Sequence, residues 1–295
     1  MKHKLAPIIL FVYNRLWHLQ KTIESLQQCK LAENSDLYIF ADGPRNKKDI
    51  GKVLKVQEYI KQIEGFNIVH IHIEERNIGL ANSVIKGVSK IIQRYKNAII
   101  LEDDLIVTND FLIVMNDALS IYKNHSSIFS ISGYMIPIEI PENFMDDAIL
   151  LPRASSWGWA TWLDRWNKAD WEMKDYPIFI KEKMLQNNFA KSGRDLNYML
   201  IKQHKGLIDS WAVRWNYTLF KHQAYCLFLT KSKVRNIGND SSGTHSPSTN
   251  RYNVQLNNDS ITLPYFPKKN DIALKKLQVF YEPSIFRKII NYFLL

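Results

Sequence analysis

The sequence predicts an α/β fold in which a mostly parallel sheet is flanked by helices. Short apolar runs rich in β-branched and aromatic residues alternate with segments of helical periodicity through the first half of the chain. Of the 295 residues, 46% are apolar and 23% are charged, which is typical of a globular protein. No Pro/Gly/Ser-rich linker interrupts the alternation, so we expect one main domain, at residues 1–265.

The first half of the chain supplies the sheet. Strands are predicted at residues 7–13, 36–41, 67–73, 98–101 and 128–132. Apolar residues at helical spacing lie between successive strands, and the second of these helices, at residues 47–63, is polar and rich in lysine. Alternation of this kind indicates a βαβ layer with parallel strands.

The second half is less regular. Substrate-binding parts of enzymes often have such a pattern, although surface loops have it too. Its predicted features are a hairpin near residues 134–151, a tryptophan-dense stretch at 155–171, a helix around 195–203 and a polar loop at 236–250. Residues 266–295 are basic and end in an apolar helical pattern. This segment is expected either to lie on an anionic membrane surface or to dock on the protein's own core.

Composition narrows the location and the partners. Two cysteines are too few for a disulfide framework, and no signal peptide precedes the first strand, so a reducing cytoplasm is expected. No stretch approaches the roughly 20 apolar residues that cross a bilayer. The net charge of +10 favours an anionic partner. Because no zinc-finger or single-strand-binding pattern accompanies that charge, a phosphorylated small molecule or a membrane surface is expected rather than nucleic acid.

Polar residues follow three of the predicted strands. Asn14 and Arg15 follow the first strand, Asp42 follows the second, and the run from Glu102 to Asp104 follows the fourth. Ligands of open α/β sheets bind at the carboxyl ends of the strands, so these groups are expected to meet. Three adjacent carboxylates raise one another's proton affinity unless a cation neutralises them. Mn²⁺ or Mg²⁺ suits such oxygen ligands, and an exposed acidic loop is the alternative.

The order and spacing of five short motifs resemble the GT-A glycosyltransferases, both the bacterial family-two-like sugar transferases and the animal N-acetylglucosaminyltransferase I group. The motifs are PIILFVYNR at 7–15, FADG at 40–43, RNIGLA at 76–81, ILEDDL at 100–105 and WGW at 157–159. The resemblance covers residues 5–250. It implies transfer of a sugar from a nucleotide-sugar donor with the help of a divalent metal.

The resemblance also implies roles for individual residues. Asp104 would bind the metal, Glu102 and Asp103 would contact the donor's ribose or sugar and the metal's waters, and Arg15 would meet phosphate or nucleotide. Asp42 would accept hydrogen bonds from the base. Further donor contacts are expected from Phe11, Tyr13, Arg76 and Asn82. His245 lies in the polar loop about where such enzymes close over the diphosphate, so it is expected to bind metal or phosphate.

Inverting transfer requires a base near the acceptor hydroxyl. Asp209 in LIDSWA is the candidate, and Asp195 in GRD is its rival, while helix capping is the alternative for both. Trp157 and Trp159 are expected to contact the acceptor. Trp162 and Trp166, which are four residues apart, are expected to pack in the core.

These features favour a metal-dependent, inverting glycosyltransferase that uses a UDP-sugar. Its expected acceptor is a glycan or a lipid-linked oligosaccharide in the synthesis of a bacterial surface polysaccharide, at the cytoplasmic face of the membrane. Two alternatives remain. A sugar-phosphate nucleotidyltransferase needs a glycine-rich loop after the first strand, and residues 13–16 contain no glycine. A non-catalytic, membrane-associated adaptor on a degenerate transferase fold would bind no donor.

Overall fold

A computed structural model describes residues 5–242, 249–287 and 290. The strands are β1 Ile8–Val12, β2 Asp36–Ala41, β3 Ile68–Ile73, β4 Asn97–Glu102, β5 Leu105–Val107, β6 Ile128–Ser132, β7 Ala148–Leu151, β8 Trp159–Trp162, β9 Tyr225–Leu229 and β10 Val234–Asn236. The helices are α1 Leu16–Gln27, α2 Ile50–Ile60, α3 Leu80–Tyr95, α4 Phe111–Ile121, α5 Leu163–Trp166, α6 Tyr176–Phe179, α7 Lys183–Phe189, α8 Asp195–His204, α9 Trp211–Lys221 and α10 Asp271–Phe280. Two short 3-10 helices lie at Ala32–Asn34 and Ala190–Ser192.

Eight strands form one sheet in the order β3-β2-β1-β4-β8-β6-β9-β7. The first four are parallel to one another, and β6 and β9 run in the same direction, while β8 and β7 run opposite to it. A separate ribbon pairs β5 with β10. The predicted fold class, a mostly parallel sheet flanked by helices, is confirmed.

The central strands form because their side chains are buried on both faces of the sheet. All five residues of β1 and all five of β6 are buried, so an unbroken apolar run serves both helical layers. Helix α3 contributes a stripe at three- and four-residue spacing that includes Ala81, Val84 and Val88. The same register that aligns Phe11 with Glu102 places the carboxyl ends of β1, β2 and β4 at one edge.

The hairpin predicted at residues 134–151 is wrong. No strand is assigned in residues 133–147, and β7 pairs instead with the distant β9, with Leu150 opposite Leu227. Pro137 and Pro141 lie in this stretch and lack the backbone N–H that a ladder requires. The apolar residues of β7 therefore complete the sheet edge rather than a local turn.

The start of the C-terminal segment packs on the main domain. The backbone N–H of Leu150 donates to the carbonyl of Lys268 at 2.9 Å, and Ala273 and Leu277 of α10 are fully buried in the main core. Helix α10, which precedes the apolar pattern at residues 280–295, therefore docks on the core, while the choice between core and membrane for that terminal pattern stays a prediction. Among the residues that the structure describes, no helix is both long enough and apolar enough to cross a membrane.

Candidate functional site

A cavity of about 230 Å³ opens at the carboxyl ends of β1, β2 and β4. Backbone and side chains from three strand ends and from the start of α3 surround it. Its lining residues are Phe11, Val12, Tyr13, Asn14, Arg15, Phe40, Asp42, Arg45, Asn77, Gly79, Leu80, Ser83, Glu102, Asp103 and Asp104. The expected convergence of the three polar clusters is therefore present in the structure.

Arg15 forms ion pairs with two of the three acidic residues. Nη2 of Arg15 donates to Oδ1 of Asp103 at 2.6 Å and to Oδ2 of Asp104 at 2.8 Å. The backbone N–H of Tyr13 donates to the other oxygen of Asp103 at 3.2 Å. The three ionic side chains are almost fully buried, so this is not the solvated acidic loop of the alternative reading.

The charges of this cluster shift one another's proton affinity. Burial, followed by the charges of Asp104 and Asp103, raises the pKa of Glu102 to about 8. Burial also raises the pKa of Asp103, and the neighbouring Arg15 guanidinium opposes that rise. Arg15 carries one positive charge and pairs with two carboxylates, Asp103 and Asp104, so the cluster favours a further cation.

The residues present fit a divalent metal through Asp104. Its Oδ1 is buried and accepts no hydrogen bond from any described residue. Buried carboxylate oxygens normally have a partner, so this atom is available as a ligand for a cation. Within residues 5–242 and 249–287, no three His, Cys, Asp or Glu side chains form a complete ligand set. Mn²⁺ and Mg²⁺ sites that use substrate phosphates need only one or two protein carboxylates. His245 lies outside the described residues.

Residues 237–240 cover the acidic cluster from above. The backbone N–H of Ile237 donates to the carbonyl of Asp104 at 2.9 Å. Gly238 lies so close that a Cβ there would overlap Oδ2 of Asp104 and stand 2.7 Å from Nη1 of Arg15. Farther along, Asp240 pairs with Nε2 of His18 at 3.1 Å. We refer to residues 237–240 as the roof segment. The sequence did not predict the roles of His18 and Gly238, because their contact partners are more than 100 residues away along the chain.

Asp42 fixes the start of α3. Its Oδ1 accepts hydrogen bonds from the backbone N–H groups of Gly43 and Ile78, and its Oδ2 accepts one from Gly79, all at 2.9–3.0 Å. The carboxylate that we expected to serve the base is therefore occupied largely by backbone donors. Gly79 is the N-cap residue of α3, and Nδ2 of Asn77 donates to the carbonyl of Gly43.

Two of the expected donor contacts lie outside the cavity. Arg76 is exposed, and Nδ2 of Asn82 donates to the carbonyl of Ile78 within its own helix turn. The backbone of Arg76 instead presses against Gly43, where a Cβ would stand 2.6 Å from it. The RNIGLA motif thus shapes the cavity through its backbone rather than through these two side chains.

Aromatic rings form the apolar side of the cavity. Phe11 and Phe40 stack with ring centroids 5.5 Å apart, and Gly87 of α3 leaves room for the ring of Phe11, which a Cβ would approach to 2.9 Å. The hydroxyl of Tyr13 donates to Asp49 at 2.9 Å and accepts from the backbone N–H of Arg45. Phe40 and Arg45 also line the cavity, and neither was among the expected donor contacts.

Asp209 lies at the rim of the cavity. A Cβ built on Gly79 would stand 3.8 Å from its Oδ2, and its Oδ1 accepts a hydrogen bond from Arg214 at 2.9 Å. Ser210, not Asp209, caps α9 by accepting from the N–H of Val213. The capping alternative is therefore wrong for Asp209, whose carboxylate is half-exposed beside the start of α3.

Asp195, the rival base, is committed to a structural ion pair. Both of its oxygens accept hydrogen bonds from the buried guanidinium of Arg153 at 2.8 Å. The ring of Tyr281 covers that guanidinium at 3.4 Å. Asp195 does not line the cavity, and no side-chain cap begins α8. We conclude that Asp195 holds the C-terminal segment against α8.

Of the two tryptophans expected to contact the acceptor, only Trp157 is partly exposed. Trp159 is fully buried and stacks on Trp211 with centroids 4.9 Å apart, so its ring is closed to an acceptor. The expectation for Trp159 is therefore wrong, because β8 is a central strand between β4 and β6 and all four of its residues are buried. Trp162 and Trp166 are buried, as predicted. Trp157 is only partly buried and packs between Tyr134 and Tyr252.

No family model matches the chain, and none of the curated proteins compared with it does either. Among solved structures, GalNAc-T7 with UDP, GalNAc and Mn²⁺ aligns with a TM-score of 0.50 at 14% identity, over 80% of this chain and 44% of that chain. Mouse xyloside xylosyltransferase 1 in its apo form aligns at 0.39 and 9%, over 74% of this chain and 82% of that chain. TarS 1-349 from S. aureus with UDP-GlcNAc aligns at 0.37 and 14%, over 59% and 48%.

This chain spans less than half the length of the GalNAc-T7 structure. The alignment nevertheless covers 80% of this chain, whose mostly parallel sheet is flanked by helices. The chain therefore has the GT-A glycosyltransferase fold.

Proposed function

We propose that this chain is a metal-dependent glycosyltransferase that moves a sugar from a nucleotide-sugar to a hydroxyl group of an acceptor. One observation carries the proposal. Oδ1 of Asp104 is buried without a hydrogen-bond partner among the described residues, and Asp104 lines the cavity at the three strand ends. A carboxylate oxygen in that state is destabilised until a cation reaches it.

A divalent metal held by Asp104 would supply positive charge to a departing nucleoside diphosphate. The remaining chemistry belongs to side chains that the structure describes. The stacked rings of Phe11 and Phe40 provide an apolar face for the donor, and Arg15 adds a cation beside the carboxylates. The roof segment lies against Asp104, and the side chains of Asp103 and Asp104 are less than 10% exposed, so little water reaches them.

We propose a UDP-sugar as the donor. The motif resemblance supports this choice, and so does the GalNAc-T7 structure, which contains UDP, GalNAc and Mn²⁺. The cavity of about 230 Å³ is small for a whole nucleotide-sugar, so part of the donor would lie beyond it along the rim.

Asp209 is our proposed base for an inverting transfer. Its carboxylate stands at the rim beside Gly79, where an acceptor hydroxyl can approach a donor that lies in the cavity. Arg214 holds one oxygen of Asp209 and leaves the other without a partner in the described residues. Asp209→Asn would keep the shape and remove the base, so it should lower kcat for transfer while nucleotide affinity stays unchanged.

Our proposed acceptor is a glycan or a lipid-linked oligosaccharide of bacterial surface polysaccharide synthesis, which the motif resemblance supports. Exposed apolar side chains near the C-terminus support the lipid-linked form, because Val279, Ile285 and Phe286 are each about three-quarters exposed. Lys275 lies on the same exposed face of α10 as Val279. A surface of this kind fits an anionic membrane.

Calorimetric titration tests the donor site. Nucleoside diphosphates and nucleotide-sugars would be titrated with and without Mn²⁺ into the wild type and into Asp104→Asn, which keeps size and removes charge. We expect Mn²⁺-dependent binding of one nucleotide class that Asp104→Asn abolishes. Absence of binding to the wild type under every condition would overturn the proposal and favour the non-catalytic adaptor.

Sedimentation with vesicles tests the membrane proposal separately. Binding to vesicles that contain anionic lipid should fall when Ile285 and Phe286 are both changed to serine, and it should also fall at high salt. Ile178→Ser is the matched control, since Ile178 is an exposed isoleucine on α6. Equal binding of all three proteins would contradict the proposed membrane surface.

A further inference from the structure

The ion pair between Arg15 and the acidic cluster is unusual in its burial. The side chains of Arg15, Asp103 and Asp104 are 16%, 6% and 9% exposed, so water screens their interaction poorly. A single guanidinium nitrogen bridges both carboxylates. Arg15 therefore supplies, from within the chain, positive charge of the kind that a metal ion would bring.

Space around Asp104 is also limited. Oδ2 of Asp104 is in contact with Arg15 on one side and with Gly238 of the roof segment on another. Only Oδ1 lacks a partner among the described residues. A cation that reaches Oδ1 would share one carboxylate with the guanidinium, and the two positive charges would repel each other across a poorly screened distance.

We propose that Arg15 is an internal counter-ion that competes with the divalent metal for Asp103 and Asp104. While Arg15 holds the two carboxylates, the metal alone binds weakly. When the donor's diphosphate arrives, it offers Arg15 a second anion, and the carboxylates are released to the metal. Metal and nucleotide then bind synergistically, each raising the affinity for the other. This inference rests on the proposed transferase function for its nucleotide step only.

The first test uses Mn²⁺ alone, without nucleotide. Free Mn²⁺ is followed by electron paramagnetic resonance during titration of the wild type, Arg15→Gln and Arg15→Lys. Arg15→Gln should bind Mn²⁺ about tenfold more tightly or better, because the positive charge that competes for the same two carboxylates is removed. Arg15→Lys keeps the charge and should resemble the wild type.

Two controls separate this effect from general changes of charge or fold. Arg194 also forms an ion pair, with Glu282 at 3.1 Å, but it does not line the cavity, so Arg194→Gln should leave Mn²⁺ affinity unchanged. Adding Asp104→Asn to Arg15→Gln should abolish the gain and thereby locate the ion. Circular dichroism confirms that each variant is folded before titration.

The outcomes are distinct. Unchanged or weaker Mn²⁺ binding by folded Arg15→Gln would overturn the competition, because Arg15 would then be a neutral or supporting neighbour of the metal. In the wild type, UDP should tighten Mn²⁺ binding, and in Arg15→Gln that synergy should shrink. If Arg15→Gln gains Mn²⁺ affinity while no nucleotide binds either protein, the counter-ion role stands and the transferase proposal fails. If nucleotide binds with Mn²⁺ but Arg15→Gln gains no Mn²⁺ affinity, the transferase proposal stands and the counter-ion role fails.

Discussion

Gly238 lies directly against the carboxylate of Asp104, so that any Cβ at position 238 would overlap Oδ2. The next contact of such a Cβ would be Nη1 of Arg15, at 2.7 Å. The glycine therefore allows the roof segment to seal the acidic cluster, and side chains longer than hydrogen are incompatible with that closure.

Gly238→Ala tests this relationship. The added methyl group should displace the roof segment or the Arg15 guanidinium and should weaken Mn²⁺-dependent nucleotide binding by about tenfold, the effect of roughly 1.4 kcal/mol of lost interaction. Calorimetry measures the change. Gly51→Ala in α2 is the matched control, because nothing lies within 4 Å of its Cβ. That control should raise the free energy of unfolding by about 0.5–1 kcal/mol and leave binding unchanged.

The pair formed by His18 and Asp240 should hold the roof segment in place. His18 is nearly buried in α1, and hydrogen bonds from Ser242, followed by the His18 contact, lower the pKa of Asp240 to about 2, so this carboxylate is ionised at any working pH. His18→Ala and Asp240→Ala should each weaken nucleotide binding several-fold. In a double-mutant cycle the combined variant should bind no worse than either single one, with a coupling energy of about 0.5–3 kcal/mol.

Lys21→Ala is the control for that cycle. Lys21 pairs with Glu24 on the exposed side of the same helix, and such surface pairs contribute about 0–1 kcal/mol. Additive effects of His18→Ala and Asp240→Ala would show that the two residues act independently and that the pair does not position the roof.

The sheet was predictable because its signal is local. Each of the five predicted strands lies within two residues of the observed bounds, since a buried parallel strand is an unbroken apolar run in the sequence. The chemistry-bearing residues at their carboxyl ends were found for the same reason. Arg15, Asp42 and Asp104 all meet at one cavity because strand direction alone brings them together.

The parts that could not be predicted depend on distant partners. The pairing of β7 with β9 joins residues at least 75 positions apart, and the contacts of Gly238 with Asp104 and of His18 with Asp240 join residues that are more than 100 positions apart. Trp159 was expected to contact the acceptor because a glycine precedes it. It is buried because β8 pairs with β4, and no local sequence pattern shows that pairing. Asp42 was identified as a site residue, but its role in holding the start of α3 was not, because two of its backbone donors lie 36 and 37 residues away in the sequence.

Asp195→Asn should separate the two candidate bases. The change leaves the guanidinium of Arg153, which is almost fully buried, without its ionic partner, and the loss of one member of a buried pair costs about 3–5 kcal/mol. Denaturant unfolding should show that loss. Nucleotide affinity and transfer by the folded fraction should remain unchanged, because Asp195 does not line the cavity. A loss of transfer without a loss of stability would instead make Asp195 the base.

Replacing Trp159 with phenylalanine should destabilise the fold less than replacing it with alanine. Its ring is buried and Nε1 has no hydrogen-bond partner among the described residues, so Trp159→Phe removes an unsatisfied donor and part of the ring. Trp159→Ala should lower the free energy of unfolding by about 3–5 kcal/mol, and Trp159→Phe should cost clearly less. Neither should alter acceptor affinity in the folded protein. Trp157→Ala is the comparison, and a rise in acceptor KM in that variant alone would assign the acceptor contact to Trp157.

The ring of His72 stacks on Phe40 with centroids 4.7 Å apart, next to the donor cavity. Burial lowers the pKa of His72, and the charges of Lys90 and His70 lower it further. The folded protein therefore disfavours the protonated ring, so its full stability holds above the unfolded pKa of about 6.5 and is lost as the pH falls through that value towards the folded pKa. His72→Gln should flatten the pH dependence of the unfolding free energy between pH 7 and pH 5. His222 has the same direction of shift for the same leading reason, burial, so the double variant should flatten it further. An unchanged slope in both variants would mean that carboxyl groups, rather than these two histidines, set the acid sensitivity of the fold.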